Sequence, residues 1–133
     1  MQERLGGRAR ELLEARNFCH VATIARDCTP YVVVAWVDVD EQHVLLNTAE
    51  GRAWAANLRR DPRVTLTVLN GEDPAEYVRI RGHVVAETHD GADEHLKRLT
   101  MKYTGEETLP SRHDGEVRVV FRIHPERVTR IAS

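Results

Sequence analysis

Lysine is nearly missing from this chain of 133 residues: Lys97 and Lys102 are the only two among nineteen basic residues, the rest being arginine. Codon usage in a GC-rich genome accounts for that skew, and recognition of an anion would also favour it. Cysteine is sparse as well. Cys19 and Cys28 make no disulfide framework. With residues 18–37 forming a hairpin that turns near Asp27-Cys28, Cys19 falls opposite Trp36 and far from Cys28. Charge of one sign is absent too, since the formal net charge is only −2. That leaves no basic footprint for nucleic acid. Aromatic residues make up only 5% of the chain. No run approaches the roughly 20 apolar residues of a membrane span, and nothing resembling a signal peptide stands at Met1 to Gly7, so a cytoplasmic location is expected. The seven histidines are scattered without a His-x-x-x-His or similar ligand spacing, and no metal is expected.

What is present is a succession of short β signals with few helices. The length fits one domain over residues 1–133. Residues 3–16 carry Leu5, Ala9, Leu12 and Leu13 at helical spacing, weakened at the start by Gly6-Gly7. Strands are expected over residues 18–25, 31–39, 43–47, 63–69, 77–87 and 117–123, with a terminal extension over 125–131. The turns between them hold Asp27-Cys28, Asp40-Glu41-Gln42 and Asn70-Gly71. A short helix is expected over 51–60. Another follows Asp90, its apolar stripe being Ala92, Leu96, Leu99 and Tyr103. Strict β–α alternation is missing, which excludes a doubly wound sheet. The pattern predicts a mainly β fold with flanking helices, a six-stranded antiparallel barrel. Val32 to Trp36 and Val84 to Ala86 are apolar on nearly both faces, as in strands covered by a helix or a second subunit.

Residues 47–64 are the most informative stretch. The apolar strand Val44-Leu45-Leu46 runs into Asn47-Thr48-Ala49-Glu50-Gly51-Arg52, which opens the short helix, and Asp61-Pro62 stops it. Backbone N–H groups, a hydroxyl and an arginine converging on one helix N-terminus suit a phosphate. An ordinary strand–turn–helix with a solvated arginine has the same local pattern. Arg79 and Arg81 alternate with Val78 and Ile80 and share one strand face, where solvent is the commoner partner. Asn57 suits a backbone bond near the helix end, Leu58 packing, and Asp61 the turn.

With its strands in this order, the chain resembles the split β-barrel flavin and deazaflavin proteins, relatives of pyridoxamine 5′-phosphate oxidase that include oxidoreductases using the deazaflavin coenzyme F420. The likeness covers nearly the whole chain. It is carried by Val21-Ala22-Thr23-Ile24 with Pro30 and the Val-rich strand ending at Trp36, and by Asn47 to Arg52. Further support comes from Asn57-Leu58-Arg59-Arg60-Asp61-Pro62-Arg63-Val64, Arg81-Gly82-His83-Val84-Val85 and Lys102-Tyr103-Thr104-Gly105. The resemblance implies a homodimer with the cofactor in a groove between subunits. Thr48 and Arg52 would then face the phosphate. The ring system would lie along Pro30, Val32, Val33 and Val34 and against the backbone of Asn47, Thr48 and Ala49.

One position departs from the family. Deazaflavin-binding members commonly carry a lysine two places after the arginine, where this chain has Trp54. Loss of an ammonium beside a phosphate costs about 1.5–3 kcal/mol, roughly ten- to a hundredfold in affinity. Trp54 can stack on a flat ring, donate its indole N–H, or simply anchor the core one turn before Leu58. The resemblance implies hydride transfer between reduced coenzyme F420 and a small organic acceptor, with FMN as the alternative cofactor. A non-catalytic cofactor-binding or carrier protein is the other class. The cofactor would carry the chemistry, so no catalytic residue is identified. Ser111, His113 and Asp114 stand too close in sequence to form a triad. Trp36 is the candidate wall for substrate, with Tyr31, Tyr77 and Tyr103 nearby candidates.

Overall fold

Ten elements follow one another in the computed structural model, which describes residues 5–106 and 115–132. They are α1 (Gly7–Glu14), β1 (Cys19–Ile24), β2 (Pro30–Ala35), β3 (Asp38–Val39), β4 (Val44–Ala49), α2 (Ala53–Arg60), β5 (Arg63–Leu69), β6 (Tyr77–Thr88), α3 (Ala92–Thr104) and β7 (Arg118–Ile131). The strands form one antiparallel sheet in the order β2, β1, β5, β6, β7, β4, β3. Its two edge strands are consecutive in sequence and joined only by Trp36-Val37. That short link holds the edges close together, so the sheet curls into a barrel. No helix among the described residues is long and apolar enough to cross a membrane.

The strand count is therefore seven rather than six, because the expected strand over 31–39 breaks in the middle. Val37 explains the break. Its N–H donates to the Tyr103 hydroxyl (3.1 Å), and its carbonyl accepts from Lys102 Nζ (2.7 Å). With both backbone groups taken by α3 side chains, Val37 makes no ladder bond and the chain crosses from one edge of the sheet to the other. Lys102 also donates to the Leu13 carbonyl (2.7 Å), tying α1 to the same point. Burial lowers the pKa of this ammonium, against the raising effect of Asp38 and Glu14.

Three other expectations shift. The expected last strand and terminal extension are one strand of 14 residues. Pro125 is tolerated inside it because it lies opposite Gly82 at an irregularity in the β6–β7 register. Helix α3 is capped by Gly91 in the left-handed region, φ 76°, not by Asp90, whereas Asp93 and Glu94 occupy its first turn. Cys19 pairs with Ala35, one residue short of Trp36. It is fully buried, and burial pushes its thiol up to about 12. Cys28 sits exposed in the turn at φ 70°.

The interior is built from alternating positions: Val21, Leu66, Val68, Val78, Ile80, Val119, Phe121 and Ile123 all point inward. Leu12 and Leu13 of α1 and Leu58 of α2 complete this core. Arg79 and Arg81 do share the exposed face of β6. Asn57 bonds the Thr23 hydroxyl (3.1 Å) and accepts from Arg60, so its side chain serves side chains rather than backbone.

Candidate functional site

Where the β2 end, the β4 end, the α2 start, α3 and the β7 start converge, they leave a cavity of about 320 Å3. Five of the sequence-derived candidates line it: Val34, Trp36, Asn47, Arg52 and Trp54. Phe18, Ala35, Leu96, Leu99 and Arg118 supply the remaining lining. Both tryptophans of the chain are thus in this wall.

One wall is a stack of rings. The Trp36 indole lies on Tyr103 with centroids 5.1 Å apart and planes 4° from parallel, and Phe18 also stacks with Tyr103 at 5.9 Å. Tyr103 cannot swing, because its hydroxyl donates to the Asn17 carbonyl (2.6 Å) while accepting from Val37. Burial pushes this phenol up to about 12, so it stays protonated.

Arg52 stands at the mouth. It is the N-cap of α2, and its side chain is 52% exposed and 3.8 Å from the Glu116 carboxylate. Among the described residues no side chain caps the helix, and the N–H groups of its first turn have no intrahelical partner beside this guanidinium. Trp54, one residue into the helix, is 5% exposed. It belongs to the core with Leu58 and at the same time shows an edge to the cavity.

Asn47 is the centre of a polar chain that runs through otherwise apolar surroundings. Its Nδ2 donates to the Ala92 carbonyl (2.9 Å) and faces His95 Nδ1 (3.1 Å), while its Oδ1 accepts from Arg118 Nε (2.8 Å). Turning the amide over would set carbonyl against carbonyl at Ala92 and donor against donor at Arg118, so its orientation is fixed. His95 Nδ1 must then be the acceptor, and Nε2 carries the proton that reaches Asp38 Oδ2 (3.0 Å). Asp38 is partly buried. Burial opposes its ionised form, yet the bonds from His95 and the Val39 N–H hold its pKa below the usual value. At the other end Arg118 Nη1 donates to Glu116 (3.2 Å).

The remaining candidates lie elsewhere. Thr48 does not reach the cavity. Residues Val44, Leu46 and Thr48 of β4 face the barrel interior, whereas Leu45 and Asn47 face α3. Thr48 is fully buried, and among the described residues its Oγ1 has no hydrogen-bond partner. Ala49 is buried, its carbonyl accepting from the Arg52 N–H (3.4 Å). Pro30 and Val32 lie along the outer face of β2, outside the cavity, and Val33 packs on the core. Val32 and Val34 are 58% and 61% exposed. Ser111, His113 and Asp114, and most of the 104–115 segment, lie outside the described residues. Arg118, His95 and Asp38 were not singled out from the sequence.

A sequence profile described as pyridoxamine 5′-phosphate oxidase matches residues 5–132. The chain belongs to the pyridoxamine 5′-phosphate oxidase family. Among solved members of this fold, an F420 reductase is 26% identical, covers 93% of this chain and 98% of its own, and superposes with a TM-score of 0.83. The conserved hypothetical protein Rv2991 from Mycobacterium tuberculosis is 24% identical with a TM-score of 0.72, covering 99% of this chain and 89% of its own. The heme storage protein HutZ from Vibrio cholerae is 16% identical with a TM-score of 0.66, covering 96% and 94%. No curated protein sequence matches. The same fold thus serves both a reductase and a storage protein.

Proposed function

We propose that this chain is an oxidoreductase that holds coenzyme F420 in the described cavity and passes a hydride to a small organic acceptor, with FMN as the alternative cofactor. The observation that carries the reading is the pairing, within one cavity, of an anion-facing end and a flat apolar wall. The likeness to an F420 reductase over nearly the whole length of both chains supports the deazaflavin over FMN.

When bound, a deazaflavin or flavin supplies a ring able to give or take hydride. This chain's residues do the rest. Arg52 offers a two-pronged donor, and the first-turn N–H groups of α2 add partial positive charge, both suited to a phosphate. Val34 and Ala35 give an apolar strand edge for the ring, and Trp36, held flat by Tyr103, is the wall for the acceptor. The ring side fits well. The phosphate side is thinner than the family pattern, because Thr48 turns inward and Trp54 stands in place of the lysine. A second copy of the chain covers the exposed Val32 and Val34 and closes the cavity against water, which is the homodimer that the resemblance implies.

Trp54 also supports a second reading, a carrier or storage protein that binds the cofactor without turnover. Fluorescence titration of the purified protein with coenzyme F420 and with FMN tests both. The proposal expects tighter binding of the deazaflavin, and Arg52→Ala to weaken it by about 1.5–3 kcal/mol, roughly ten- to a hundredfold. Binding without oxidation of the reduced coenzyme by a panel of quinone and enone acceptors would favour the carrier. Absence of binding by either cofactor below about 100 μM would overturn both readings.

A further inference from the structure

We propose that a hollow bordering Phe18 is a second binding site, continuous with the cavity, which takes the apolar chain of an elongated acceptor whose flat ring lies in the cavity. The inference deepens the proposed function and rests on it for the ring alone; the site for the chain is built from residues of a different part of the molecule.

The hollow, of about 270 Å3, lies where the link from α1 to β1 meets the loop after β5. Phe18 lines both it and the cavity. The strand ladder joins the two a second time, because His20 in the hollow is the cross-strand partner of Val34 in the cavity. A molecule too long for the cavity thus has a path across Phe18. What it meets there is mostly hydrocarbon. Phe18 is 57% exposed, and Leu69 and Pro74 extend the apolar surface. The two asparagines of the lining use their amides internally. Asn17 donates to the Leu12 carbonyl (3.0 Å) and accepts from the Gly71 N–H (2.9 Å). Asn70 donates to Glu76 (3.0 Å) and accepts from the Glu72 N–H (2.9 Å). Of the other polar side chains, Arg16 gives its Nε to the Lys102 carbonyl (3.0 Å), and both Arg16 and His20 are exposed. The ring between the two sites is also held in place. Phe18 stacks on Tyr103 at 5.9 Å, and Tyr103 is tied to the Asn17 carbonyl (2.6 Å). An exposed aromatic ring joining two hollows, with the neighbouring amides already bonded, suits an apolar chain better than a hydrated polar one.

4-Ethylphenol and 4-heptylphenol are probes that share a ring and differ in chain length. Binding is read in 15N-labelled protein from the indole N–H signals of Trp36 and Trp54 for the cavity and from the Gly71 backbone N–H for the hollow. Both phenols are expected to shift the indoles, and only 4-heptylphenol to shift Gly71. A methylene half withdrawn from water tightens binding about twofold, so the heptyl compound binds at least about tenfold more tightly than the ethyl one. His20→Trp, on the exposed face of β1, fills the hollow; it leaves 4-ethylphenol affinity unchanged and removes most of the gain from the longer chain. Leu69→Gln cuts that gain severalfold without filling the hollow, and serves as the second variant should the new indole disturb Val34. Equal affinity for the two phenols, or a gain that survives both substitutions, overturns the proposal and leaves the cavity standing. Absence of any indole shift with either phenol overturns the reading of the cavity and this proposal with it. A Gly71 signal that moves with protein concentration and not with chain length assigns the hollow to a second copy of the chain, which overturns the proposal as well.

Discussion

Replacing Trp54 with lysine puts the family's usual side chain into this chain's own packing. An indole buries about 150–250 Å2 of surface, worth about 4–6 kcal/mol at 25 cal/mol per Å2. At 5% exposure Trp54 realises nearly all of it. The lysine stem recovers about half by lying against Leu58, and its ammonium reaches the cavity edge that the indole now occupies. There it meets the guanidiniums of Arg52 and Arg118, a further unfavourable term. The net expectation is a loss of about 3 kcal/mol, or a fall in Tm of about 10 °C for a chain of this size. Differential scanning calorimetry measures the loss, and a parallel titration measures coenzyme affinity. Coenzyme at saturation restores part of the lost stability, because the ammonium gains a phosphate partner only when ligand is bound. A variant that melts within about 2 °C of wild type and binds the coenzyme more tightly would refute the packing argument. It would also place the indole in the path of the phosphate.

Other perturbations probe the frame rather than the cavity. Glu76 is clamped by Arg8 (2.7 Å), Asn70 (3.0 Å) and Arg130 (2.8 Å), bonds that hold its carboxyl well below the ordinary value of 4.5. A carboxyl with a depressed folded-state pKa stabilises the fold above its unfolded value and loses that contribution as pH falls. Glu76→Gln is therefore expected to lower stability at pH 7 and to flatten the decline in urea midpoint below about pH 4.5; an unchanged acid limb would count against the clamp. Gly82→Ala places a Cβ 2.2 Å from the His124 carbonyl oxygen and 3.0 Å from Ile123 Cγ2. Backbone cannot yield as a side-chain tip does, so a loss of at least about 2 kcal/mol in chemical denaturation is expected, and a neutral result would mean that the β6–β7 irregularity relaxes freely.

The parts of this molecule that the sequence made legible are those whose cause is local. Alternation placed Val78, Ile80 and their arginine neighbours on opposite faces of one strand, and the turn at Asn47 to Arg52 announced a helix start with a guanidinium beside it. Thr48 shows the limit of the same rule. Counting by twos along β4 puts it with Val44 and Leu46 inside the barrel, but a motif read as a unit put it beside Arg52. The break at Trp36-Val37 was invisible for a different reason. Its cause lies more than sixty residues away, in Lys102 and Tyr103, whose polar ends take the backbone groups that a ladder would have used.

Arg118 is the sharpest case. It alternates with Val117 and Val119 just as Arg79 and Arg81 alternate with Val78 and Ile80, and all three stand on β-strands of one sheet. Alternation alone does not separate them, yet Arg79 and Arg81 are exposed and Arg118 is 7% exposed, paired at 3.2 Å with Glu116 two residues before it. Besides Glu116, Asn47 on the neighbouring strand accepts from Arg118, with α3 packed beyond. Asn47 in turn keeps its orientation only because His95 and the Ala92 carbonyl are both there. A buried cation in a sheet is thus recognised by its acceptors rather than by alternation along its own strand, and one of those acceptors lies 71 positions away along the chain.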